Sequence, residues 1–246
     1  MGEGVPVSVW SHGLTGSTDE LRPLAIHTAG TRVLMDLRGH GDSGTPPEGA
    51  GYDHPAMRKD IEAVADMAGA TRAVGLSVSA GALLNLLADV PDRFERVVLF
   101  SPASIDGPNV GAEGLFPLFA DELETMPLAE VAQRQASMDS PLYEARPYWR
   151  ELVRTRTLRM NAVGVPRALR AYVNGRPPVE DPSVLARVTA PVLILAHEGD
   201  ATHDSAHARR LASIFPNARL EMWPETLAMF DDEDALARLI GDFLAG

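Results

Sequence analysis

The sequence predicts an α/β fold, a doubly wound and mainly parallel sheet of about six strands carrying an inserted helical lid. Three observations predict it. Short apolar, β-rich runs alternate with longer segments of helical period. The runs are apolar almost without interruption, as strands covered on both faces of a parallel sheet should be. One long stretch without any such run, residues 102–186, separates the fourth from the fifth.

Taken in order, the strand runs are VPVSVW (5–10), RVLMDL (32–37), RAVGLS (72–77), RVVLFS (96–101), PVLILA (191–196) and ARLEMW (218–223). A helix over 54–69 opens on His54-Pro55, proline being well placed in a first turn whose N–H has no helical partner; it carries Ile61, Val64, Ala65 and Met67. Residues 80–90 are apolar on almost every face, so that helix is expected to be buried. The last helix, 232–245, lines up Leu236, Leu239, Ile240, Phe243 and Leu244 after an acidic start that suits a helix N-terminus. Residues 102–186 hold helical stretches punctuated by Pro108, Pro117, Pro127, Pro141, Pro166 and Pro177-Pro178. Lying between two strands, they read as an inserted lid rather than a separate domain, which leaves 1–101 and 187–246 as the core.

Bulk properties exclude several functions. The chain has 246 residues, 45% of them hydrophobic and 23% charged, and no cysteine. A core of that size needs no disulfide or metal staple, and the missing thiols fit a reducing compartment. A net charge of −12 argues against nucleic acid or an anionic membrane surface as partner. MGEGVPVSVW has no basic region leading into an apolar one, and no apolar run approaches the roughly 18 residues of a membrane span. The expected location is cytoplasmic.

The chemistry centres on GLSVSAG (75–81), between an apolar strand run and the buried helix. Catalysis by a serine nucleophile needs an exposed hydroxyl, a base to deprotonate it and donors for the developing oxyanion. A sharp strand-to-helix turn on Ser77 meets the first need, with small residues letting helix and strand pack closely. Gly75 precedes Ser77 by two, and Ser79 stands where the usual G-x-S-x-G pattern has its second glycine.

With WSHGLTGS (10–17), DLRGHGDSG (36–44) and APVLILAHEGD (190–200), this elbow resembles the α/β-hydrolase family over nearly the whole chain. The resemblance implies an oxyanion hole from the backbone N–H groups of Leu14 and Val78, substrate-binding places for His12 and Gly13, and Asp200 as the acid of a triad. In the family, antiparallel strands usually precede the His-Gly loop. Here that loop arrives at residue 12, so an essentially all-parallel sheet is expected.

The family's histidine, after the last strand, has no counterpart: that region reads LEMWPETLAMFDDEDAL (220–236), with Ala228 near the place of the base. Four readings fill the gap. His203, three residues after Asp200 on one loop, serves as base; His12 or His40 reaches Ser77 from another loop; a carboxylate such as Glu225 or Asp106 acts alone; or no acyl-enzyme forms. His203 is the first choice. His203 and His207, four apart beside Asp200 and Asp204, have a spacing that suits metal ligands, but no third-ligand motif accompanies them and neither metal nor cofactor is expected.

For substrate, residues 134–176 hold nine arginines against Asp139, Glu144 and Glu151. They make either a mouth attractive to anions or, the preferred reading, solvated helix faces. Phe116, Phe119, Tyr143, Tyr148, Trp149 and Tyr172 suit an apolar or aromatic small molecule. The expected activity is hydrolysis of a small carboxylic ester, thioester or lactone through an acyl-serine at Ser77. The alternatives are a cyclase or lyase on the same scaffold, or a ligand-binding protein that has lost catalysis.

Overall fold

Strand alternation and strand pairing together account for the sheet. The computed structural model describes residues 1–47, 51–138, 144, 146–200, 202–225 and 228–246. Six strands form one parallel sheet: β1 (Val7–Ser11), β2 (Thr31–Met35), β3 (Arg72–Leu76), β4 (Arg96–Phe100), β5 (Val192–His197) and β6 (Ala218–Trp223), in the spatial order β2-β1-β3-β4-β5-β6. Successive side chains of one strand serve opposite faces. Val9, Ala73, Val97, Leu99 and Ile194 join the core on one face, and Trp10, Val74, Val98, Leu193 and Leu195 join the other. Both faces being covered is why the runs are apolar throughout.

Helices α2 (His54–Ala68) and α3 (Val78–Asp89) close the first face, and α1 (Thr18–Leu24) packs with the last helix, α9 (Glu233–Ala245), on the second. Helix α3 begins two residues earlier than the apolar pattern alone indicates, because the turn on Ser77 leads straight into it. Asp53 caps α2, its carboxylate accepting the Ala56 N–H at 3.0 Å, and Gly69 ends it in the left-handed conformation.

Between β4 and β5 the described residues hold helices and no strand: α4 (Val110–Thr125), α5 (Leu128–Ala136), α6 (Tyr148–Leu158), α7 (Gly164–Val173) and a short 3₁₀ turn, Pro182–Arg187. Helix α4 packs on α7, and α5 on α6. Asp139, Pro141 and Tyr143 lie outside the described residues. The arginine-rich faces are partly solvated, and many of their charges are held in ion pairs. Arg134 pairs with Glu122, and Arg170 with Asp121 and Glu124. Arg146 reaches across to Glu225 and Asp231, Arg156 to Glu20 and Arg159 to Asp19, so these three fasten the inserted helices to the sheet domain. Helix α8 (Ser205–Ile214) links β5 to β6. No helix among the described residues is long and apolar enough to cross a membrane.

Strand order sets where a ligand can sit. The chain runs outward from β1 to β2 and then returns to place β3 on the other side of β1, so the loops after β1 and β3 part at their carboxyl ends. Such a switch point opens a crevice in open α/β sheets.

Candidate active site

The β1–β3 register pairs Ser11 with Gly75, which brings Gly13 level with Ser77, two residues beyond that pair. The approach is close: a Cβ on Gly13 would sit 3.2 Å from the Ser77 Cβ. Gly75 is equally constrained, since a Cβ there would lie 2.7 Å from Leu83 Cδ1 and 2.8 Å from the Ser79 backbone. Helix α3 can pack this tightly on β3 only because residue 75 has no side chain.

Ser77 adopts φ 52° and ψ −112°, a backbone conformation that a non-glycine residue holds only under constraint. The constraints are visible. Its N–H donates to the Phe100 carbonyl at 2.8 Å, and its carbonyl accepts the Gly81 N–H at 3.2 Å. Ser79 Oγ, fully buried, donates to the His12 carbonyl at 2.6 Å and ties α3 to the loop after β1. The serine in place of the second elbow glycine therefore fastens two loops of the site. Val78 opens α3, so its N–H is one of the first-turn donors that no carbonyl of the helix can reach.

The loop after β5 carries the other polar groups. His203 Nε2 lies 2.9 Å from Ser77 Oγ, and His203 Nδ1 lies 2.7 Å from Asp200 Oδ2. With Asp200 ionised, Nδ1 carries the proton and donates to it, leaving Nε2 to accept from the serine hydroxyl. Asp200 Oδ1 accepts from both the backbone N–H and the hydroxyl of Thr202, each at 2.7 Å. Burial works to raise the Asp200 carboxyl, but the His203 and Thr202 hydrogen bonds outweigh it and hold the group below the usual carboxylate range. Asn109, the cap of α4, donates to the Thr202 carbonyl at 2.8 Å, so the inserted helices also hold this loop.

A family model described as the alpha/beta hydrolase family matches residues 4–239. The chain belongs to that family. Solved hydrolase structures with the same fold include a thermophilic esterase from Thermogutta terrifontis, 20% identical with a TM-score of 0.79 over 100% of this chain and 91% of that one. Another is the enol-lactonase from Burkholderia xenovorans, 22% identical with a TM-score of 0.77 over 100% of this chain and 94% of its own. By sequence, the dihydrolipoyllysine-residue acetyltransferase component of the acetoin cleaving system of Cupriavidus necator is 32% identical over 146 residues. That match takes in 56% of this chain and 38% of the relative, so only a minor part of the longer protein is spanned.

Within this hydrolase scaffold the other candidate bases make no hydrogen bond to Ser77 among the described residues. His12 is fully buried; its Nε2 accepts the Leu37 N–H at 3.0 Å and its Nδ1 donates to the Gly13 carbonyl at 2.7 Å. Burial, with the nearby His40, pushes its pKa down to about 3, so it is a neutral brace. His40, also buried and lowered by desolvation, donates from Nδ1 to the Arg38 carbonyl at 3.0 Å. Glu225 is paired with Arg146, and Asp106 holds Arg210 through two hydrogen bonds. Ala228 lies in a 3₁₀ turn, Ala228–Phe230, whose Phe230 ring packs against Phe100 and Trp149 at 5.8 and 5.3 Å. Phe116 packs on Tyr172 at 5.8 Å, and Tyr172 on His54 at 5.9 Å. His203 precedes α8 while His207 lies inside it, and both ring nitrogens of His203 are already engaged.

Three contributors were not singled out from the sequence: Thr202, Asn109 and the tethering hydroxyl of Ser79. Thr202 had a local signal, since the residue two after an aspartate commonly donates its N–H to that carboxylate. Asn109 had another, an amide residue just ahead of a helical run. Nothing local marks Ser79, whose partner is 67 residues away.

Proposed function

We propose that the protein hydrolyses a small carboxylic ester, thioester or lactone through an acyl-enzyme on Ser77, with His203 as base and Asp200 as the acid that orients it. One observation carries the reading: the continuous Ser77–His203–Asp200 hydrogen-bonded relay, with links of 2.9 and 2.7 Å. His203 Nε2 takes the Ser77 proton as Oγ attacks the substrate carbonyl carbon. The carbonyl oxygen becomes an oxyanion facing the N–H groups of Leu14 and Val78. The C–O or C–S bond then breaks, and the leaving group takes the proton from Nε2. Water gives a proton to the same nitrogen and attacks the acyl carbon; the bond from that carbon to Oγ then breaks, Nε2 returns the proton to Oγ, and the acid is released with Ser77 and neutral His203 restored. Asp200 stays ionised throughout and balances the imidazolium formed in each half-reaction.

The histidine thus comes from the loop of the acid rather than from the segment after the last strand. The chain order of serine, acid and base is retained. The helices between β4 and β5 act as a lid, and their aromatic residues favour an apolar or aromatic acyl group.

Turnover of short chromogenic esters, thioesters and lactones tests this reading. Ser77→Ala is expected to abolish turnover, and Asp200→Asn to lower kcat on the order of 10⁴-fold by releasing the imidazole from its working tautomer. Turnover that survives Ser77→Ala would overturn the acyl-serine mechanism.

A further inference from the structure

Arg156 occupies a position that ion-pairing alone does not explain. It projects from α6 onto the loop after β1, where Nη2 donates to the Leu14 carbonyl at 3.1 Å and to Thr15 Oγ1 at 2.8 Å. Its Nε donates to the Thr15 carbonyl at 3.2 Å and lies 2.7 Å from Glu20 Oε1. One guanidinium thus grips two successive carbonyls and the hydroxyl between them. Thr15 has φ 68°, a left-handed conformation that a β-branched residue adopts only when held there. Leu14 is one of the two residues to which the proposed mechanism assigns an oxyanion donor.

We infer that Arg156 is a positioning residue, which from helix α6 locks the Leu14–Thr15 turn so that the Leu14 N–H faces the oxyanion formed at Ser77. The inference rests on the function proposed above and adds to it. The inserted helices then complete the catalytic geometry as well as covering the site. A planar fork suits this task, since two carbonyls at fixed separation require two N–H vectors in fixed relation. A lysine ammonium supplies the charge without the fork. Arg156 does not touch Ser77, His203 or Asp200, so its loss leaves proton transfer intact.

The experiment measures kcat, KM and thermal melting of the wild type, Arg156→Gln, Arg156→Lys, Thr15→Gly and the double variant Arg156→Gln/Thr15→Gly, on one chromogenic ester. The expected result is a kcat loss of roughly 10- to 100-fold in both Arg156 variants, with KM little changed and the melting temperature, lowered by the lost Glu20 pair, still well above the assay temperature, since a lost oxyanion donor costs about 10²–10³ in kcat. Thr15→Gly removes the steric objection to the left-handed turn. Because it also removes the hydroxyl that Arg156 grips, it is expected to lower the rate somewhat by itself, and the double variant is expected to lie within a few-fold of Thr15→Gly alone, well above Arg156→Gln. A loss that falls on KM alone, a kcat within twofold of wild type, full activity in Arg156→Lys, or no recovery in the double variant would overturn the inference. A wild-type protein that turns over no ester would instead overturn the hydrolytic reading together with this one.

Discussion

Ser77 is held at φ 52° by contacts from three directions: the Phe100 carbonyl, the first turn of α3, and the Ser79 hydroxyl bonded to His12. The last of these is the least expected. Where the usual pattern has a glycine, a buried serine donates to a carbonyl that would otherwise sit unpaired in the interior. An unsatisfied buried acceptor costs about 1–3 kcal/mol. Ser79→Ala is therefore expected to lower unfolding stability by about 1–2 kcal/mol, seen as a reduced urea midpoint at unchanged slope. An unaltered midpoint would mean that the Ser79 contact contributes nothing net. His12 shows why burial decides a histidine's role. Its two ring nitrogens are committed to the Leu37 N–H and the Gly13 carbonyl, and desolvation keeps it neutral. It braces the loop and has no nitrogen left for Ser77.

At the scale of elements, the sheet was legible in the sequence and the site only in part. Strands covered on both faces print a continuous apolar run, and the six runs fall on β1 to β6 with shifts of no more than two residues at any end. The turn on Ser77 was legible for a similar reason, because Gly75 and the small residues after it are what close strand–helix packing demands. His203 was legible as a candidate from its place three residues after Asp200 on the carboxyl edge of the sheet. That its ring reaches Ser77 Oγ, 126 residues away in sequence, depends on how the β5–α8 loop folds. No local pattern specifies that. The arginine-rich helices show the opposite limit. Composition records their charge, but four of their partners, Glu20, Asp19, Glu225 and Asp231, belong to other parts of the chain and meet them only through tertiary structure.

Across the whole molecule, buried histidines make the fold sensitive to mild acid, above the range in which its carboxylates titrate. His12, His40, His54 and His197 are all buried, and in each desolvation lowers the folded-state pKa, to about 3 for His12. The unfolded chain takes up protons at these groups near pH 6.5, whereas the folded chain does not, so stability falls as pH drops below that value. Each histidine contributes a slope of up to about 1.4 kcal/mol per pH unit below that value, for as long as the fold keeps it neutral. Burial of Glu20 raises its carboxyl and works in the opposite sense. Urea unfolding is expected to show a clearly lower midpoint at pH 5 than at pH 7.5; equal midpoints would mean that the four histidines are not held neutral. The site likewise belongs to the whole molecule, since the loops after β1, β3 and β5 converge on one serine. The most direct measurement is intact-mass labelling by a fluorophosphonate probe on wild type, Ser77→Ala and His203→Ala, each shown to be folded. A single stoichiometric adduct on wild type is expected, absent in Ser77→Ala and formed at least 100-fold more slowly in His203→Ala. Labelling of His203→Ala at the wild-type rate, or no adduct on folded wild type over hours, would contradict activation of Ser77 by His203.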